Sequence, residues 1–303
     1  MNAHNNLIDS IFEILRKIIL RGGIGPVIPA IIFLLFFFAM PLVVLCAFGF
    51  VSIDRGVVDW TSISLDHLTS TIKDTLFWHF WWRSFWVGTV STILCLCLGY
   101  PVAYIYTLAG RGWQILILVA TISPLLTSAL VRTYAWMVIL GGRRGVVNSI
   151  LLDLDFIDRP IRFLYSDFSV ILAMTQIHLP FMILPLITVL SARDFSLEQA
   201  SLNLGASRLK TFFKIIVPIS LPGIIAGFAL VFAISYTNFI VPQLLGGGNY
   251  TTLAVQVYEF IVVILDWNKG AILAFLLLTS CFFFVLGINY IGNWAMKWKE
   301  VTR

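Results

Sequence analysis

Six stretches of this chain are each long and apolar enough to cross a lipid bilayer, and this limits its fold more than anything else in the sequence. An α-helix rises about 1.5 Å per residue, so a hydrocarbon core of about 30 Å takes roughly 20 apolar residues in a row. The runs Val27 to Phe50, Ser84 to Leu108, Trp113 to Leu140, Phe168 to Leu190, Ser220 to Pro242 and Ala271 to Asn293 meet that requirement. Backbone N–H and C=O groups find no partner in lipid, so the runs must be helices. The expected class is an all-α polytopic membrane protein with about six transmembrane helices. The first run is too long for a signal peptide, starts late and has no small-residue cleavage pattern after it, so it is expected to stay as an anchor.

Only 12% of the residues are charged, against about 25% in ordinary soluble domains. The net charge of +5 does not form a nucleic-acid surface, because all but one of the 20 basic residues fall in short segments between the apolar runs. Cys46, Cys95, Cys97 and Cys281 all lie inside apolar runs, where a thiol acts as a small hydrophobe. Their spacing supports neither disulfides nor a metal site. With the N-terminus inside, the inner segments carry 11 Lys and Arg and the outer loops 8. That bias predicts cytoplasmic N- and C-termini.

Leu7, Ile8, Ile11, Phe12, Leu15, Ile18 and Ile19 recur at helical spacing, with charged residues between them. Residues 1–26 are therefore expected to form an amphipathic helix along the inner leaflet, broken from the first span by Gly22, Gly23, Gly25 and Pro26. The membrane domain runs over 27–293 and a short cytoplasmic tail over 294–303. Among the inner segments only the loop 191–219 is long enough to form structure of its own. Ser196 with Gln199 has the spacing of a capping box that opens a helix through Leu204. Gly205 suits the left-handed position that ends it, and Ser207 caps a second helix. From spacing alone, a docking surface for a soluble partner and a solvated basic loop both remain open.

The string Gln199-Ala200-Ser201-Leu202-Asn203-Leu204-Gly205-Ala206-Ser207, followed by Ile215-Ile216-Val217-Pro218, resembles the "EAA" loop of permease subunits of ATP-binding-cassette importers. Leu98 to Tyr104, Val131 to Met137, Leu179 to Met182, Ser220 to Ile224 and Pro242 to Gly248 resemble the spermidine/putrescine branch, so the likeness spans about Phe33 to Asn293. It implies the type I importer permease (MetI-like) fold in the bacterial inner membrane. It also implies four kinds of partner: a dimer of a separate ABC ATPase that binds ATP and magnesium, a second identical or homologous permease subunit, an external solute-binding protein, and the bilayer. Glu198, Gln199, Ala200, Ser201, Asn203, Gly205 and Pro218 are the implied ATPase-coupling residues. The loop departs from the family where Gln199 and Asn203 replace acids. Docking through shape and Gly205 rather than through ion pairs is the corresponding expectation.

Polar groups inside spans are costly and mark a pathway by default. Arg132, beside Tyr134 and Trp136, has three readings: facing an aqueous cavity, binding a carboxylate, or snorkelling as an anchor. Gln176 and His178 either line the pore or are satisfied by a neighbouring helix. Tyr236, Thr237 and Asn238 form a polar cluster in an otherwise apolar run. Polyamine permeases of the family often carry an acid near Asn238, and a neutral amide does not neutralise an ammonium group, so an opine or amino-acid derivative also stays open as cargo. Trp78, Phe80, Trp81, Trp82, Phe85 and Trp86 are read as an interfacial belt rather than a stacking box.

No phosphate-binding G-x-x-x-x-G-K-[ST] loop occurs, so energy must come from an ATPase partner or an ion gradient. None of the 15 acids falls in the six runs, which counts against an ion-coupled secondary transporter. No H-E-x-x-H or G-x-S-x-G supports an intramembrane enzyme. The chain is expected to hold no catalytic residue, cofactor or metal of its own.

Overall fold

The structure is a computed structural model that describes residues 27–54, 57–63, 65–142, 144–248 and 250–301. The amphipathic segment 1–26 lies outside the described residues. Among the described residues, five unbroken helices are long and apolar enough to span a membrane, and a sharply bent pair supplies a sixth candidate. The long helices are α1 (Ile28–Phe50), α3 (Thr75–Leu108), α7 (Asp167–Ser191), α9 (Arg208–Tyr236) and α12 (Trp267–Val301). Between α1 and α3 lie a two-stranded antiparallel hairpin, β1 (Val51–Asp54) with β2 (Val57–Ile63), and the short helix α2 (Asp66–Lys73).

Helices α3, α7 and α9 pack on one another most extensively and form the centre of the fold. In lipid no hydrophobic force drives helices together, so close packing of small residues has to do it. A Cβ on Gly99 of α3 would stand 3.1 Å from Ile183, and one on Gly227 of α9 would stand 2.7 Å from the Met182 sulfur. The two glycines thus let α7 enter between its neighbours, with Met182, Leu186 and Leu190 fully buried. By contrast α1 is buried only at Gly49, where it meets Ile272 of α12. Asn268 of α12 donates to the carbonyls of Phe48 and Val51 and pins the end of α1.

Three expected boundaries change. The second span starts nine residues earlier than its apolar run, because the Asp74 carboxylate accepts from the Leu76 N–H and caps a helix that includes the aromatic segment. The third run is not one helix. It forms α4 (Arg111–Ile122), a 3-10 turn over Ser123–Leu126 and α5 (Ala129–Leu140), with a bend of 96°. Pro124 lacks the N–H that would continue α4, the Thr127 hydroxyl donates to the Pro124 carbonyl, and Ser128 caps the new helix at Leu130. Such backbone is tolerated at membrane depth only inside protein or beside a water-filled cavity. The fifth span ends at Tyr236, and Pro242 belongs to a separate helix, α10 (Ile240–Leu245), because Asn238 Oδ1 accepts from the Val241 N–H and starts a new turn. The remaining elements are α6 (Val146–Asp153), α8 (Phe195–Asn203) and α11 (Leu253–Ile264).

Candidate functional site

The segment between α7 and α9 stands away from the helical core. Helix α8 opens at Phe195 under an Asp194 cap, whose Oδ1 accepts from the Ser196 N–H at 2.8 Å. The expected Ser196–Gln199 capping box is therefore not formed. An ionised carboxylate is the stronger acceptor, and Asp194 stands where the first free N–H groups point. Those bonds hold the Asp194 carboxyl below its usual range. At the other end the Ala206 N–H bonds to the Ser201 carbonyl and the Gly205 N–H to that of Leu202. This is the paired bond pattern of a Schellman end, with Gly205 at φ +81°. Ser207 caps the first turn of α9 through the Lys210 N–H, as its spacing predicts. A widened turn over Phe212–Ile216 then precedes Pro218, which has no N–H to give the Lys214 carbonyl.

The coupling residues named from the sequence do not share one surface. Gln199, Ala200, Asn203 and Gly205 are exposed, Ser201 and Pro218 are half-buried, and Glu198 faces inward. One Glu198 oxygen accepts from the Tyr104 hydroxyl and the other from Arg193, each at 3.3 Å. The Ser201 and Thr211 hydroxyls lie 3.0 Å apart and join α8 to α9. Leu204 is 88% exposed and Leu209 72%. The outward face is thus an apolar knob around Gly205, with exposed Arg208, Lys210 and Lys214 beside it and no acid contributed by α8. Behind it a cavity of about 250 Å³ is lined by Tyr104, Leu108, Glu198, Leu202, Arg208 and Thr211.

The polar residues of the spans separate into two groups. On α5, Arg132 donates to the Ile177 carbonyl at 3.4 Å and the Trp136 indole to Gln176 Oε1 at 3.2 Å, so the bent span rests on consecutive residues of α7. Tyr134 of the same helix is exposed. Gln176 also lines a cavity of about 330 Å³ with Thr121 and Pro124 from the bend and Val102 from α3. The second group ties helices together elsewhere. His178 Nδ1 lies 2.8 Å from the Ser235 hydroxyl of α9, and the Tyr236 and Ser280 hydroxyls are 2.7 Å apart. The Thr237 hydroxyl donates to the Ala233 carbonyl of its own helix, and Asn238 is occupied as a cap. Tyr236, Thr237 and Asn238 are adjacent in sequence and point to three different partners.

Sequence reasoning passed over Thr121 and Pro124, although Ser123-Pro124 inside an apolar run is a legible break signal. It also passed over Arg193, Tyr104 and Thr107, whose association comes from three separate segments and leaves no local pattern. At the far end of α3, His79, Trp82, Arg83, Trp86 and Asp167 line a further cavity of about 320 Å³. There the Arg83 guanidinium sits 4.1 Å from the centre of the Tyr250 ring. The aromatic segment is itself divided: Trp81 and Phe85 stack 5.7 Å apart and Phe85 packs on Phe232 and Phe284, whereas Trp78, Trp82 and Trp86 remain exposed.

No protein-family model matches the chain. It is 32% identical over 244 residues to the spermidine/putrescine transport system permease protein PotB of Haemophilus influenzae, covering 80% of this chain and 85% of that one. The protein of the same name from Escherichia coli is 33% identical over 238 residues, covering 78% and 86%. Among solved structures, the fold resembles a chain from the crystal structure of a bacterial alginate ABC transporter in complex with alginate pentasaccharide-bound periplasmic protein. The TM-score is 0.74 at 16% identity, over 94% of this chain and 97% of that one.

Proposed function

The chain belongs to the permease subunits of ATP-binding-cassette importers, in the spermidine/putrescine branch, and from that premise we propose that it forms half of a translocation pathway for a polyamine. The observation that carries the coupling part of this reading is the apolar knob around Gly205, which presents Leu204 and Leu209 outward while the only acid of α8 is used internally. A pair of separate ATPases, binding ATP and magnesium, docks there through Gln199, Ala200, Ser201, Asn203 and Gly205. Pro218 and the widened turn before it pass the motion into α9. A second permease subunit, identical or homologous, completes the pore, and a binding protein delivers the solute at the opposite face. The chain itself hydrolyses nothing. The termini and the docking loop lie on the cytoplasmic side of the inner membrane, with 1–26 along its surface, 27–293 as the membrane domain and 294–303 as the tail.

The solute path follows the bend between α4 and α5, where Gln176 lines the cavity and bonds to Trp136, and where Arg132 and the exposed Tyr134 belong to the same helix as Trp136. His178 and Tyr236 support it by holding α7, α9 and α12 in register, and Thr237 bonds within its own helix. Asn238 does not argue against a cationic cargo, because its side-chain oxygen caps α10 instead of facing a ligand. Alternating access then follows from closure of the ATPases, which moves the knob and reorients the packed spans. An ion-coupled carrier would need acids at membrane depth, and the six apolar runs hold none.

The test is purification of the complex from native membranes, identification of the co-purifying proteins, and uptake of spermidine, putrescine and an amino-acid control into proteoliposomes. ATP-dependent uptake of a polyamine with an ATPase present in the preparation is the expected result. A preparation that transports without any ATPase would overturn the reading.

A further inference from the structure

Two of the routes that connect α8 to the spans differ in stiffness. The covalent route runs through Gly205, at positive φ and with open space where a side chain would be, and then through the widened turn over Phe212–Ile216. A joint of that kind bends readily. The second route is a cluster of side chains around Arg193, in the short link between α7 and α8. The Arg193 side chain is 2% exposed, so it is not a solvated basic residue of an inner loop. It donates to the Thr107 hydroxyl at 2.9 Å and to Glu198 Oε2 at 3.3 Å. Its guanidinium carbon lies 4.5 Å from the Phe195 ring centre and 5.2 Å from that of Tyr104. The Tyr104 hydroxyl closes the ring of contacts on the other Glu198 oxygen. A flat guanidinium with donors on several edges fits between two rings while bonding to both sides, and a lysine ammonium does not.

We propose that Arg193 is a positioning residue that locks α8 to the C-terminal turns of α3, so that thrust on the knob reaches α3 directly and not only through the Gly205 joint into α9. The inference rests on ATPase docking at the knob. Glu198 serves this lock and not the docking surface, which explains how the loop functions with Gln199 at the position of the family's acid. Phe212 reinforces the same end of α3, meeting the rings of Tyr100 and Tyr104 at 5.5 and 5.6 Å.

The experiment uses the whole transporter in proteoliposomes and reads three quantities: ATPase retained per permease, ATP hydrolysed, and solute taken up per ATP. Arg193→Ala is expected to keep the ATPase while uptake per ATP falls about tenfold, and Thr107→Val to lower it by about threefold, within the range seen when a coupling network is cut. A merely structural role would reduce the amount of complex without moving that ratio. An unchanged ratio in Thr107→Val overturns the proposal, as does loss of ATPase association in step with uptake. Should Arg193→Ala not assemble, Thr107→Val decides by the same criterion. Absence of the ATPase from the wild-type preparation would instead refute docking itself.

Discussion

The knob around Gly205 and the middle of α7 both commit polar groups to internal bonds, but the middle of α7 buries its apolar side chains as well, Met182 and Leu186 among them, whereas the knob turns Leu204 and Leu209 outward. In the middle of α7 the inward polar groups hold helices together, as His178 does with Ser235. Apolar surface on the outside of the spans meets lipid and is satisfied by it. At the knob Glu198 and Arg193 are equally committed to internal bonds, but Leu204 and Leu209 project from a loop rather than a span. Exposed apolar side chains in such a place mark a protein contact. Outward apolar side chains therefore signal lipid on the outside of the spans and a partner on the loop, and position along the chain distinguishes the two.

The sharpest way to break this comparison is to place a charge on the knob. Leu204→Asp leaves every internal bond of α8 intact and is expected to cost at least about 2 kcal/mol of ATPase binding, roughly thirtyfold, if Leu204 is an interface anchor. Retention of the ATPase at wild-type stoichiometry would remove the apolar-contact reading. Gly205→Val is next. A β-branched residue held in the left-handed region costs about 1–2 kcal/mol, so transport should fall about tenfold while the spans keep their thermal stability in detergent.

Changes within the spans should show the opposite signature. Ser235→Ala leaves His178 buried without its partner and is expected to lower the stability of the purified chain by about 0.6–1.7 kcal/mol, read by thermal unfolding, without loss of the ATPase. The smallest effect belongs to Asn238→Ala, which removes the cap of α10 at about 1 kcal/mol. Uptake should slow with the preference between spermidine and putrescine unchanged. An altered preference would show that Asn238 meets the solute.

Much of this could be read from sequence because the bilayer imposes length and composition residue by residue. Gly205 and Ser207 were legible for a related reason: a left-handed helix end and an N-cap are local demands with few residues able to meet them. The Ser196 cap failed because Asp194, two residues earlier, starts the helix first and leaves Ser196 inside its first turn, and spacing alone does not rank the two starting points. The bend in the third run was hidden by hydropathy, which is blind to the missing donor of Pro124. The Tyr236–Asn238 cluster misled in another way. Three consecutive helical or post-helical residues point in different directions, so nearness in sequence did not mean a shared site.

What the sequence by itself determined is the number of long apolar segments, their helical state and the identity of the protruding loop, since each follows from lipid's lack of hydrogen-bonding partners or from local end geometry. Tertiary structure alone decided which polar groups meet. Glu198 turns away from the outward face because Tyr104 of α3 and Arg193 of the α7–α8 link converge on it, with Thr107 of α3 holding Arg193 in place. That convergence depends on α3 and α7 approaching closely enough for Gly99 to pack against Met182 and Ile183. A buried charge is stable only where such partners are assembled around it, and no local stretch of sequence contains them all.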